Sequence, residues 1–213
     1  MAWIRFWTWF ERPLLALAAL ALPATLLHAA LQDPGAHPGA ASLAGQVLIA
    51  APEMGDRRFY HAVILMVRHN AAGAFGIIIN RPLGERPLAS LLEALGEKDD
   101  SVTGTLPVFA GGPVQPELGF VIHSTEYRRA ETVDIDGHVA MTSSREIIHD
   151  IINKHGPEKS LVAFGYAGWA PNQLENELAQ RAWYTAAQDW KLIFDEDRAK
   201  VWDDAMMRRT QDL

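Results

Sequence analysis

Apolar residues cluster along the chain in two rhythms. Residues 46–51 (Gln-Val-Leu-Ile-Ala-Ala), 61–69 and 74–81 are short β-rich apolar runs and predict strands. Asn70-Ala-Ala-Gly73 is a glycine-containing connection of hairpin length, so the second and third runs are expected to pair antiparallel. Leu88, Leu91, Leu92 and Leu95 then recur at helical spacing between Pro87 and Gly96, a helix with its start and stop both written in. Residues 106–110, 119–124 and 138–142 predict further strands. Ser143 with Glu146 has capping-box spacing, and Ile147, Ile148, Ile151 and Ile152 supply the inner stripe of a second helix that ends at Gly156-Pro157. Residues 160–167 form a strand that turns through Gly168 and Trp169 into a helix carried by Leu174, Leu178 and Ala182. A last helix is expected over 195–209, with Trp202, Ala205 and Met206 inward. Hairpins rather than strict strand-helix alternation argue for α+β.

Composition narrows the function classes. The chain has 213 residues, no cysteine and a formal charge of −7. Without cysteine there is no disulfide, thiolate metal site or Cys nucleophile. Arg5 and Arg12 cancel Glu11 and Asp33, so the acidic excess belongs entirely to the residues after 41. Duplex binding draws its affinity from Lys and Arg on phosphates, and Arg57-Arg58, Arg128-Arg129 and Arg208-Arg209 are isolated pairs among acids. Direct nucleic-acid binding is therefore disfavoured.

Residues 1–31 stand apart. Two arginines in a Trp-rich stretch precede residues 13–31, which carry no Asp, Glu, Lys or Arg, the pattern of a signal peptide or of a membrane anchor. His28 spoils the small-residue cleavage pattern and Pro23 interrupts a span. Arginines on the N-terminal side would place the remainder outside the cytoplasm, exported or anchored in the inner membrane. A working start near Ser42 in the cytoplasm is the alternative. Residues 32–41, with Pro34, Gly35, Pro38 and Gly39, read as a linker, and 42–213 as one domain.

Candidate chemistry is sparse. Gly111 and Gly112, in Ala-Gly-Gly-Pro-Val-Gln-Pro, could bring bare amides to an anion, although a rigid bend between strands is the preferred reading. Gly165-Tyr-Ala-Gly-Trp169 suggests a sharp strand-to-helix turn without a serine at its apex, leaving Gly168 and Trp169 as a possible ligand contact and core packing as the favoured role. Glu146 and His149 have Glu-x-x-His spacing, but only one such contribution is present, and no metal is expected. His123 is the first histidine to test as an acid or base, with a structural role preferred. Asn80, Arg81, Thr142, Ser143 and Arg145 sit at element ends, where the arginines could hold an anion or an acid of the chain.

Taken in order, His69-Asn70 with Gly73-Ala74, residues 76–82 (Gly-Ile-Ile-Ile-Asn-Arg-Pro), residues 111–116, Gly119-Phe-Val-Ile-His123, Thr142-Ser-Ser-Arg145, and residues 165–169 with Gln173-Leu-Glu175 resemble the bacterial AlgH/YqgE family. That resemblance implies a single α+β domain whose largely antiparallel sheet forms a bifurcated pseudo-barrel flanked by helices. It implies no reaction and no cofactor, and a transcriptional-regulator label that rests on a link to alginate production. It also implies the cytoplasm, at odds with residues 1–31. Ala51 stands where Met is usual in that family, and Asn172 where Gly is common. The combined expectation is a non-enzymatic regulatory or binding protein whose partner is a protein or a small anion. The alternative is an enzyme acting on a phosphorylated or acyl substrate in a groove formed by Arg81, His123, Ser143 and Arg145.

Overall fold

The first strand, β1 (Gln46–Ala50), shows why these apolar runs lack alternation. Val47 and Ile49 point to one hydrophobic cluster and Leu48 and Ala50 to another, so both faces of the strand are covered. The same holds for β2 (Val63–Asn70), which pairs antiparallel with β1 and with β3 (Gly73–Ile78). The computed structural model describes residues 42–195 and 197–210; the export or anchor segment and the linker lie outside the described residues.

Ten strands form one sheet in the order β10-β1-β2-β3-β9-β6-β8-β7, with β4 and β5 branching from β9. Here β4 is Pro82–Pro87, β5 Thr105–Ala110, β6 Val114–Ser124, β7 Thr132–Asp134, β8 Val139–Thr142, β9 Ser160–Trp169 and β10 Trp183–Ala187. The fork lies on β9. One edge pairs with β6, while the other is shared between β3, at Ala167–Trp169, and β5, at Val162–Phe164. Every pairing is antiparallel except β5 with β9. The result is the expected α+β domain with a curled, bifurcated sheet.

Among the described residues four short helices cover it: α1 (Leu88–Ala94), α2 (Glu146–Ile152), α3 (Gln173–Ala179) and α4 (Val201–Met207), with a π-helical turn at Lys191–Asp195 before the last. The inner cluster, with Phe75, Phe120, Ile122 and Met141, is plugged by Leu192, Ile193, Val201 and Ala205. Trp169, Leu174 and Trp183 pack under α3. Leu92, Val121, Ile147, Ile148 and Val162 pack under α1 and α2. Among the described residues no helix is long and apolar enough to cross a membrane.

Several expected boundaries move. The third strand stops at Ile78, because Asn80 and Arg81 turn the chain into β4, which is exposed throughout and so shows no buried face in its sequence. Strand β6 starts earlier than expected, at Val114, with a register shift before Gly119. The segment 165–169 is not a turn: Gly168 and Trp169 are ladder residues opposite Phe75 and Ala74. Helix α3 begins at Gln173 after Asn172, whose φ of 61° is a left-handed conformation that glycine also suits. Residues 183–187 pair with β1 as a strand, and the last helix is only Val201–Met207. The expected capping box does not form, and Arg145 stands at the N-cap with no side-chain cap. Ser144, rather than Ser143, hydrogen-bonds the Glu146 carboxylate and accepts the Glu146 amide at 3.3 Å.

Candidate functional site

The outer face of the β6–β9 pair, carrying Val121, Val162 and Phe164, is only partly roofed by α1 and α2. Between roof and sheet lies a cleft of about 70 Å³, walled by Leu91, Ala94 and Leu95 of α1 and Ile148 of α2. Its rim is polar: Ser143, Ser144 and Arg145, with the buried Thr142 behind them, supplied by the end of β8 and the approach to α2. Beyond the rim His149 Nε2 of α2 reaches Glu97 Oε1, just after α1, at 3.2 Å.

Beside the cleft, under Tyr127, runs a buried polar chain. His123 and Thr142 are both 0% exposed. His123 Nδ1 lies 2.8 Å from the Ser124 carbonyl and Nε2 lies 2.9 Å from Thr142 Oγ1. A carbonyl only accepts, so Nδ1 carries the proton. Burial pushes the imidazole pKa down, which favours the neutral ring, so Nε2 accepts and the Thr142 hydroxyl donates to it. Thr142 Oγ1 then accepts from Thr132 Oγ1 at 2.7 Å, and Thr132 accepts the Arg129 amide at 2.9 Å. One consistent donor order thus runs from the Arg129 amide to the Ser124 carbonyl.

A clasp closes over this chain. The Tyr127 ring stands edge-on to His123 with centroids 5.3 Å apart, and its hydroxyl donates to Asp150 of α2 at 2.6 Å. Arg129 grips the same carboxylate through Nε at 2.8 Å and Nη2 at 2.6 Å. The Arg129 guanidinium, with help from the Tyr127 hydroxyl, holds the Asp150 carboxyl below the usual range, while burial pushes the Tyr127 phenol up to about 12.

Of the residues singled out in the sequence, the cleft gathers Thr142, Ser143 and Arg145. The others lie elsewhere. Asn80 clamps the loop before β2, accepting the Val63 amide and donating to the His61 carbonyl, both at 2.9 Å. Arg81 donates to the Tyr60 carbonyl at 2.9 Å and to the Arg58 carbonyl. Gly111 and Gly112 cross β9 at backbone contact. A Cβ on Gly111 would lie 2.4 Å from the Gly165 oxygen and one on Gly112 2.0 Å from the Tyr166 carbonyl carbon, and the Gly111 amide is already given to Phe164 O at 2.7 Å. Trp169 is buried and donates its indole N–H to Glu177 at 2.9 Å. His123 does not line the cleft, so the groove expected from Arg81, His123, Ser143 and Arg145 is not formed as one surface.

Sequence reasoning missed the apolar lining from Phe164 and the whole Tyr127–Asp150–Arg129 clasp. The leucines of α1 were visible as a face needing a sheet, which was the available signal. A second space, about 320 Å³ between β4 and the π-helical turn, is floored by Phe109 and Arg198. Arg198 stacks on Phe109 and caps the carbonyls of Ile79, Leu192 and Ile193, so its guanidinium serves the fold there. Among the described residues no cluster of three or more His, Asp or Glu could hold a metal ion.

A forked half-barrel sheet with its histidine chemistry turned inward and a small apolar cleft outside defines a distinct class of α+β domain. Its relatives agree. The family model described as AlgH-like (DUF179) matches residues 47–213. A UPF0301 protein of Methylococcus capsulatus is 39% identical over 83% of this chain and 96% of its own length, and one of Jannaschia sp. is 43% identical over 77% and 86%. The solution structure of the AlgH protein from Pseudomonas aeruginosa superposes with a TM-score of 0.70 at 36% identity, covering 82% of this chain and 92% of that one. A Corynebacterium diphtheriae protein at 23% identity shares the fold, with a TM-score of 0.61, 83% of this chain and 91% of that one being covered. The chain belongs to the AlgH-like, UPF0301 family, a family of unknown function.

The segments that carried the resemblance meet in space. His69 Nε2–H donates to Glu175 at 2.9 Å, since Nδ1 accepts the Leu43 amide at 3.2 Å. A Cβ on Gly73 would fall 2.2 Å from the Trp169 oxygen, and Gly112 abuts Tyr166. His123 meets Thr142.

Proposed function

We propose that this protein is a non-catalytic binding protein that holds a small ligand in the α1–α2 cleft, in keeping with a regulatory role. The carrying observation is the sealed state of the hydroxyl–imidazole pair beside that cleft. Thr142 and His123 are 0% exposed, and each ring nitrogen is already matched. For Thr142 to act as a nucleophile its proton would pass to an imidazole that burial disfavours charging and whose far nitrogen faces a neutral carbonyl rather than a carboxylate. On the rim the Glu146 carboxylate is taken up by Ser144, while Ser143 and Arg145 offer a hydroxyl and a cation, an arrangement suited to holding rather than transforming. The acidic surface, at −7 overall, supports a small-molecule or protein partner over nucleic acid.

Pentanol titrated into the isotope-labelled protein tests this reading. Amide shifts should concentrate on 91–95, 143–148 and 162–164 and vanish in Ala94→Trp, whose indole fills the cleft. Shifts confined to the 80–82 or 111–112 region would refute it.

The Thr142–His123 contact itself favours one rival, an enzyme of acyl or phosphoryl substrates. If His123→Gln abolished a measurable turnover of an acyl ester while leaving the fold intact, that rival would replace the binding reading.

A further inference from the structure

We infer that the α1–α2 cleft takes a short aliphatic carboxylate of about five carbons, its chain against the sheet and its carboxylate on Arg145 and Ser143. The inference rests on the binding reading above and adds the ligand class.

Charge supplies the first argument. The neighbouring arginines are spent within the fold: Arg128 on Asp134 at 2.6 Å and Arg129 on Asp150. The Arg145 side chain makes no ion pair or hydrogen bond with any described residue, although it stands in a chain with seven excess negative charges. Ser143, half-buried beside it, likewise spends its hydroxyl on no described residue. Two neighbouring carboxylates already have partners, Glu146 in Ser144 and Glu97 in His149. One planar guanidinium with one hydroxyl matches a carboxylate's two oxygens and single charge. A phosphate dianion would need more positive charge than this rim offers.

Volume supplies the second argument. A water-sized group needs roughly 10–15 Å³ of such space, so 70 Å³ admits roughly five to seven. The walls are Leu, Ala, Ile, Val and Phe side chains, which reward methylenes and offer no internal hydrogen-bond partner.

The test is an NMR titration of the full-length protein with propanoate, pentanoate, octanoate, pentanol and pentylamine. Affinity should rise about fourfold per methylene from three to five carbons, and stop rising by eight. Pentanol should bind up to about fivefold more weakly than pentanoate, the share an exposed ion pair contributes, and pentylamine more weakly still. Arg145→Gln, an exposed change, should bring pentanoate level with pentanol without moving the spectrum elsewhere. Equal binding of pentanoate and pentanol to the unaltered protein, unchanged by Arg145→Gln, would overturn the carboxylate assignment and leave the cleft intact as a site. Continued fourfold gains out to octanoate would overturn the length limit. Absence of shifts from every compound would overturn the binding reading itself.

Discussion

Replacing His123 with Gln isolates the energetics of the buried chain. A glutamine places its amide near the Nε2 position, where its oxygen can still accept from Thr142, but nothing then donates to the Ser124 carbonyl. One buried acceptor left without its partner costs about 1–3 kcal/mol, expected here in full above about pH 6.5, where the ring is neutral folded and unfolded. The pH dependence distinguishes this from simple loss of packing. Burial lowers the imidazole pKa in the folded protein, with Glu126 opposing that shift and Arg128 adding to it. The unfolded imidazole titrates near 6.5, so below that pH the unfolded chain binds the extra proton first. Stability contributed by the neutral ring is therefore full above about pH 6.5. It falls as pH drops from there toward the folded pKa, by up to about 1.4 kcal/mol per unit. Urea unfolding followed by tryptophan fluorescence at pH 7.5, 6.5 and 5.5, in the original chain and in His123→Gln, cancels the carboxylates common to both. The difference between the two should shrink on acidification. Long-range nitrogen-15 spectra should also show the Nδ1–H tautomer. Parallel pH profiles, or the Nε2–H tautomer, would refute the donor order from Arg129 to Ser124.

Other sites give independent tests. Gly112→Ala would put a methyl 2.0 Å from the Tyr166 carbonyl carbon; since main chain must move, the expected loss exceeds about 4 kcal/mol, whereas Gly55→Ala, with nothing within 4 Å, should change the thermal midpoint negligibly. Glu177 accepts the indole N–H groups of Trp169 and Trp183 at 2.9 and 2.7 Å, so Glu177→Ala should cost about 2–4 kcal/mol in urea unfolding and Glu177→Gln less. Tyr127, pushed up to about 12 chiefly by burial, is neutral in the folded state while an unfolded tyrosine ionises near 10; stability present below pH 10 should fall between 10 and 12, and Tyr127→Phe should remove that fall.

The elements buried on both faces were legible because their residues leave no other place to go: Val47–Ala50, Val63–Val67 and Leu161–Ala163 could only be interior strands. Strand β4 was not legible, since Pro82–Pro87 is exposed at every position and is a strand only because β5 lies beside it. Strand β10 was hidden for a related reason. Trp183–Ala187 mixes buried, half-buried and exposed positions without a clean alternation, and its conformation is decided by its five-residue register with β1. The candidate site divides the same way. Thr142, Ser143 and Arg145 stood out as a polar cluster between a strand and a helix. Asn80, Arg81, Gly111 and Gly112 stood out equally, yet the fold uses them as clamps and crossing points.

By itself the sequence determined the local matters: which runs are interior, where glycine is required, and that no thiol chemistry is available. Those follow from side-chain volume, charge and backbone freedom within a few residues. Tertiary structure decided the rest. The fork at β9 brings β3, β5 and β6 onto one strand, the β6–β8 pair seals His123 against Thr142, and the Arg145 side chain is left without a partner among the described residues at an apolar cleft. Nineteen positions separate that histidine from its threonine. Whether such a pair faces water or the interior depends on what covers the sheet, and Tyr127 and Asp150 supply the cover from outside both strands.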